Sequence, residues 1–113
     1  MYTSTFIFDA KPFDDEFHRF NDEIAERARA IPGFLGEEDW VNDATGIHSE
    51  VYYWESLDAL DQLIGMGAHK EAKSVREKWI ESYRVVIAEV LSTYGQPGLG
   101  LEHVPLDHAP TRG

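Results

Sequence analysis

Residues 51–94, VYYWESLDALDQLIGMGAHKEAKSVREKWIESYRVVIAEVLSTY, read as strand, helix, strand, and this reading decides the fold. The run from Ile47 to Glu55 is rich in β-branched and aromatic residues that suit a pleated, half-buried surface. Ser56 then stands where a helix N-cap belongs, its hydroxyl available to an orphan backbone N–H. Beyond it Leu57, Leu60, Ile64, Ala68, Ala72, Val75 and Trp79 recur at helical spacing. Gly65 and Gly67 interrupt that stripe, and each costs up to about 1 kcal/mol in a helix interior, so two helical segments are expected. Tyr83 to Tyr94 alternates and is β-branched, which predicts a last strand stopped by Gly95-Gln96-Pro97-Gly98.

Working towards the N-terminus, Phe34–Asn42 reads as the strand paired with Ile47–Glu55, the two joined by the polar link Asp43-Ala44-Thr45-Gly46. Upstream of that hairpin, Phe13, Phe17, Phe20, Ile24, Ala28 and Ile31 fall three or four apart, predicting a helix over Pro12–Ala30. Its start carries Pro12 and the acids Asp14, Asp15 and Glu16, which favour helix entry. Ile31-Pro32-Gly33 ends it, because the residue before proline avoids the α region. Thr3–Phe8 is the first strand. The order β-α-β-β-α-β is the split βαβ, or ferredoxin-like, α+β arrangement: a four-stranded antiparallel sheet with both helices on one face. Residues 1–95 form the expected domain and 96–113 a tail whose composition builds no core of its own. Tyr52, Trp54, Val86, Ala88 and Val90 make too apolar a set for a sheet face in water, so a homodimer packed sheet to sheet is expected.

A chain of 113 residues with a 42% hydrophobic share supports one core. Its formal charge of −11, from 21 acidic and 10 basic residues, argues against nucleic acid or an anionic membrane as partner. With no cysteine, thiolate metal sites, disulfides and cysteine nucleophiles are excluded, and a reducing cytoplasm is the expected compartment. The start MYTSTFIFDAK has neither a basic n-region nor an apolar run long enough for a signal or a membrane span.

Four pieces together are similar to the antibiotic biosynthesis monooxygenase family of dimeric α+β barrels, which includes small haem-degrading monooxygenases. They are Ile31-Pro32-Gly33-Phe34, the strand Val51-Tyr52-Tyr53-Trp54-Glu55-Ser56, Ala68-His69 with Ala72 behind it, and Trp79-Ile80-Glu81-Ser82-Tyr83-Arg84-Val85 leading to Tyr94-Gly95. The likeness runs from roughly Phe6 to Gly95. It implies a pocket between helices and sheet, oxidation of a small hydrophobic or aromatic compound with O2, and no cofactor. The haem-degrading members' helix tryptophan position is occupied here by Leu63, and their proximal histidine position falls near Lys73, so that haem site is not carried over. Haem binding and a non-catalytic ligand-binding dimer stand as the alternatives.

Among single residues, His69 sits one step off the helical stripe near Gly65, Ala72 and Val75 and is the candidate base or polar anchor, since imidazole titrates near neutral pH. A cofactor-independent oxygenase also needs a dry aromatic pocket; Trp54, Trp79, Tyr83, Tyr53, Phe6 and Phe34, with Leu63, are its candidate lining. Each of these aromatics has a simpler reading as core. His48 and Glu50 share a strand face with Tyr52 and Trp54 and read as a polar rim of the sheet. His103 and His108 sit near Glu102 and Asp107 and hold a divalent ion only if the tail folds back. Glu37, Glu38 and Asp39 read as one solvated strand.

Overall fold

The structure, a computed structural model, describes residues 1–10, 15–65 and 80–108. Its elements are β1 (Tyr2–Ala10), α1 (Asp15–Arg29), β2 (Phe34–Val41), β3 (His48–Trp54), α2 (Leu57–Ile64), β4 (Ile80–Glu89) and two short strands, β5 (Thr93–Tyr94) and β6 (Asp107–His108). The first six form the expected β-α-β-β-α-β order. β1 to β4 make one antiparallel sheet in the order β2-β3-β1-β4, so the two chain-distant strands β1 and β3 lie at its centre.

Pairing register assigns every side chain to a face. Tyr2 stands opposite Trp54, Phe6 opposite Glu50 and Phe8 opposite His48, while β4 sets Tyr83, Val85 and Ile87 against Phe8, Phe6 and Ser4. Because side chains alternate along a strand, these residues share one face, the inner one, with Glu37 and Asp39 of β2. Ile7, Val51, Tyr53, Arg84, Val86, Glu38 and Trp40 share the other. The apolar strand residues expected to crowd a single face are therefore divided: Tyr52 and Trp54 point to the helices, Val86 and Ala88 away from them. The last strand is also broken, since β4 stops at Glu89 and only Thr93–Tyr94 resumes extended pairing, with the tail.

Both helices cover the inner face around Trp54. That ring is 0% exposed and packs with Ala28, Ile31, Ala59, Leu60 and Leu63, with Tyr2, Ile24, Phe34 and Tyr52 at the margin. Its indole Nε1 donates to Ser4 Oγ at 3.0 Å, which satisfies the one polar atom the core would otherwise strand. The link from α1 to β2 is set by Gly33, whose φ of +98° disfavours other residues and whose carbonyl accepts from Glu55 N–H at 2.7 Å. An added Cβ there would also meet the Cβ of Ala59 at 3.0 Å.

α2 begins as its sequence demands. Ser56 is extended and its Oγ accepts from Ala59 N–H at 3.2 Å; the segment ends at Ile64 with Gly65 as its C-cap. The helix thus ends at the first of the two glycines, and the expected second segment, with Gly67, falls on residues outside those described. Ser56→Ala is expected to lower the unfolding free energy by about 1 kcal/mol, because an orphan N–H loses its partner. Urea titration checks this; a variant as stable as the parent would mean that the cap is replaced by water without cost.

Candidate functional site

The inner face is aromatic at one end and acidic beside it. Phe6 lies 4.9 Å from Phe8 and 5.7 Å from Tyr83 between ring centroids, and Phe8 stacks on the His48 ring at 5.2 Å with an 11° interplanar angle. At the other end Phe34, Tyr52 and Trp54 meet edge to face at 5.4 to 6.2 Å. Glu50 stands between these two groups, flanked across the sheet by Phe6 on β1 and Asp39 on β2. Directly opposed residues hold their Cβ atoms about 5 Å apart, so the Glu50 carboxyl has a ring on one side and a second carboxylate on the other.

That placement raises its proton affinity. Burial comes first, the charges of Asp39 and Glu37 add to it, and a hydrogen bond from the Asn21 side chain on α1 offsets part, leaving the Glu50 carboxyl pushed up to about 7. Asp39 is pushed up as well, by burial and by Glu37, against the opposing pull of Arg29 and His48. The Tyr52 hydroxyl is driven far above its ordinary range by burial and by Glu50, Glu37 and Asp39. Glu37 is held by the Arg29 guanidinium, whose Nε donates to Glu37 Oε1 at 2.7 Å and whose Nη2 bonds the same oxygen. Chemically, this is a carboxyl group able to take or give a proton near neutrality, set beside the Phe6 ring.

The expected site residues fall into four groups. Phe6 and Tyr83 come together on the inner face, and Phe34 lies on the same face at its Trp54 end. Trp54 and Leu63 are buried in the core between helices and sheet. Tyr53 is on the outer face, where it meets His103. His69 and Trp79 lie outside the described residues, as does Lys73.

Glu50 is the residue that sequence reasoning undervalued. It is no rim residue: it lies beneath α1 with Asn21 upon it. The signal was present in the alternation His48, Glu50, Tyr52, Trp54, because a carboxylate that shares a strand face with the core tryptophan is turned towards the helices with it. The acidic run on β2 likewise divides by face, Glu37 and Asp39 inward and Glu38 outward. No cluster of three or more metal-ligating side chains occurs among the described residues, and His103 spends its imidazole on Glu38. None of the described helices is long and apolar enough to cross a membrane.

No family model matches the chain. It is 41% identical over 73 residues to the uncharacterized protein YqjZ of Bacillus subtilis (strain 168), a match covering 60% of this chain and 63% of that one. Solved structures align over nearly their whole length. Rv0793 from Mycobacterium tuberculosis superposes with a TM-score of 0.68 at 15% identity, over 80% of this chain and 94% of its own. SnoaB, a cofactor-independent oxygenase from Streptomyces nogalater, does so with 0.65 at 13% identity, over 88% and 96%. A structure described as an antibiotic biosynthesis monooxygenase gives 0.66 at 18% identity, over 80% and 98%. The chain therefore has the fold of the antibiotic biosynthesis monooxygenase-like proteins, a ferredoxin-like α+β sheet with its helices on one side.

Proposed function

We propose that this protein is a cofactor-independent monooxygenase acting on a small hydrophobic or aromatic compound held between helices and sheet. The observation that carries the reading is Glu50: a carboxyl whose proton affinity is matched to neutral pH, built into an aromatic face of a fold shared with a cofactor-independent oxygenase. In such a reaction an activated CH2 group plus O2 gives a carbonyl plus water. The substrate supplies all four electrons, one oxygen atom enters the product and the other leaves as water. The protein's task is then to remove the first proton, so that an electron-rich anion meets O2, and to keep solvent from the intermediates. Glu50, as its carboxylate, takes that proton and becomes the neutral acid, Asn21 holds the carboxylate before transfer, and Phe6, Phe8 and Tyr83 flank the substrate ring. His69, on the motif matched to the family, is a second proton carrier in this scheme. The protein works as a cytoplasmic homodimer, with the outer faces of two sheets in contact.

Oxygen uptake with hydroquinones and anthrone-type phenols tests the reading. Turnover is expected without added metal or flavin and is expected to fall about 100-fold or more in Glu50→Gln, the range of a lost general base. Uptake that is absent with every such substrate, or indifferent to Glu50→Gln and His69→Ala alike, would sink it. Addition of haem serves as the control for the rival reading, since a shifted haem absorption band abolished by His69→Ala would favour haem binding instead.

A further inference from the structure

Strand β2 follows two alignments along its length. Phe34 pairs with Trp54, but Gly36 pairs with Tyr53 and every later residue keeps that second alignment, so Leu35 is the extra residue of a bulge. Each end of the strand holds its own alignment: Glu55 N–H donates to Gly33 O at 2.7 Å at one end, and Asn42 N–H donates to Ile47 O at 2.9 Å at the other. The bulge must lie between these ends, and its place decides which acid faces Glu50. With it at Leu35, Asp39 stands opposite Glu50 and Glu38 points outward. Were the first alignment to continue as far as Trp40, Glu38 would stand opposite Glu50 while Glu37 and Asp39 turned outward. The residues of β2 distinguish the two poorly, since Glu37, Glu38 and Asp39 are all acidic and the strand, at the sheet edge, has one neighbour. The Arg29–Glu37 ion pair favours the observed alignment, but the guanidinium is largely exposed and such pairs contribute little.

The C-terminal loop tells them apart. β5 and β6 pair at its base, where Thr93 Oγ1 donates to Pro105 O at 2.6 Å and accepts from His108 N–H at 3.1 Å. The loop leaves the sheet beyond β4 and brings His103 to β2 at the opposite edge. There the side chain sits on Gly36, where any Cβ would run into the Cβ and ring of His103. Its Nε2 lies 2.7 Å from Glu38 Oε2; a carboxylate only accepts, so the ring nitrogen carries the hydrogen. Glu38 also accepts from Trp40 Nε1 at 3.0 Å and bonds the Tyr53 hydroxyl on the neighbouring strand. The paired His103 and Glu38 side chains are only 14% and 10% exposed, so water replaces this contact poorly. We propose that His103 is a positioning residue: by holding Gly36 and Glu38 on the outer face, it fixes the bulge at Leu35 and so keeps Asp39 opposite Glu50. The other alignment turns Gly36 and Glu38 inward, and the loop then loses both contacts. This deepens the proposed function, on which only the effect on turnover rests.

His103→Ala removes the pin, and Gly36→Ala displaces the ring while leaving it intact. In the isotope-labelled full chain, each is expected to quicken amide exchange on β2 about tenfold while β1 and β4 stay as they are. Each should also add a cross-strand nuclear Overhauser contact between Glu38 and Glu50 to the one between Asp39 and Glu50. Because both act on one contact, the double variant should be no worse than Gly36→Ala alone. A second readout follows the Glu50 carboxyl carbon through pH. Besides burial, the groups acting on that carboxyl are Asp39 and Glu37 of β2 and Asn21 of α1, with Arg29 and His48 bearing on Asp39 and Tyr52 next along β3. Asp39→Asn is expected to lower the midpoint in the parent, and to lower it less beside His103→Ala, where Asp39 faces outward part of the time. Unchanged β2 exchange in His103→Ala, with the Asp39–Glu50 contact alone, overturns the pin, as does an Asp39→Asn effect equal in both backgrounds. Oxygen uptake that is the same in the parent and in His103→Ala overturns its part in turnover; no uptake by any chain, with both signs of the pin present, overturns the proposed function and not the pin.

Discussion

Glutamine at position 50 is expected to make the protein more stable and less active at neutral pH. In the unfolded chain a glutamate ionises at its ordinary value of 4.5; in the folded protein Glu50 does so only at about 7. Below 4.5 the carboxyl is protonated in both states and contributes no difference. Between these values the unfolded state has released its proton and the folded state has not, so folding stability falls as pH rises. Above 7 the loss is complete and amounts to roughly 3 kcal/mol, the free-energy equivalent of that displacement. Glu50→Gln keeps the shape and an acceptor for Asn21 but never bears charge, so it escapes the loss. Urea unfolding at pH 4.5 and pH 8 measures this. The variant and the parent should be close in stability at the lower pH and differ by roughly 3 kcal/mol in the variant's favour at the higher. Equal stability at pH 8 would mean that the carboxyl is solvated and ordinary, and with it the proposed base would go. A residue retained at such a cost, whose loss also stops oxygen uptake, has the signature of a group kept for chemistry.

The fold was legible because its signals are local. Ser56, the Ile31-Pro32-Gly33 stop and the alternation on β3 each act within a few residues, and all three appear where they were read. What the residues could not disclose alone is register. Whether Tyr52 and Val86 share a face depends on how β1 pairs with both β3 and β4, a matter of distant contacts, and the pairing sets them apart. The alternation on β3 placed Glu50 with Tyr52 and Trp54, but the Asp39 charge and the Asn21 hydrogen bond that act on its carboxyl come from β2 and α1, neither of which is near it in sequence. The tail shows the same limit more sharply. Residues 96–108 lack periodicity and build no core, yet one histidine finds a notch that exists only because position 36 has no side chain. The candidate base His69 and the candidate lining residue Trp79 lie outside the described residues, so the site argued here stands on the sheet and α1.

Trp54→Ala is expected to cause the largest loss of stability of any single change on the inner face. The indole is wholly buried where both helices meet the sheet, among Ala28, Ile31, Ala59, Leu60 and Leu63. Four of these neighbours, Ala28, Ala59, Leu60 and Leu63, sit on helix backbone and two of them are alanine, so the space left by truncation cannot close by simple side-chain movement. Truncating a buried tryptophan costs about 3–5 kcal/mol, set against a total of about 5–15 for a typical domain. With about 4–8 °C per kcal/mol for a domain of this size, Tm should drop by at least about 12 °C. Trp54→Phe separates packing from hydrogen bonding. It keeps a ring in the cavity but removes the Nε1 donor, leaving Ser4 Oγ without the partner it has at 3.0 Å. Its cost should be smaller, about 1–2 kcal/mol beyond the lost volume, and Ser4→Ala in the same background should recover part of it. Calorimetry on the three variants decides between the two contributions. A Trp54→Ala protein that melts within a few degrees of the parent would show that the helices are held to the sheet elsewhere, and the core described here would not be the one that sustains the fold.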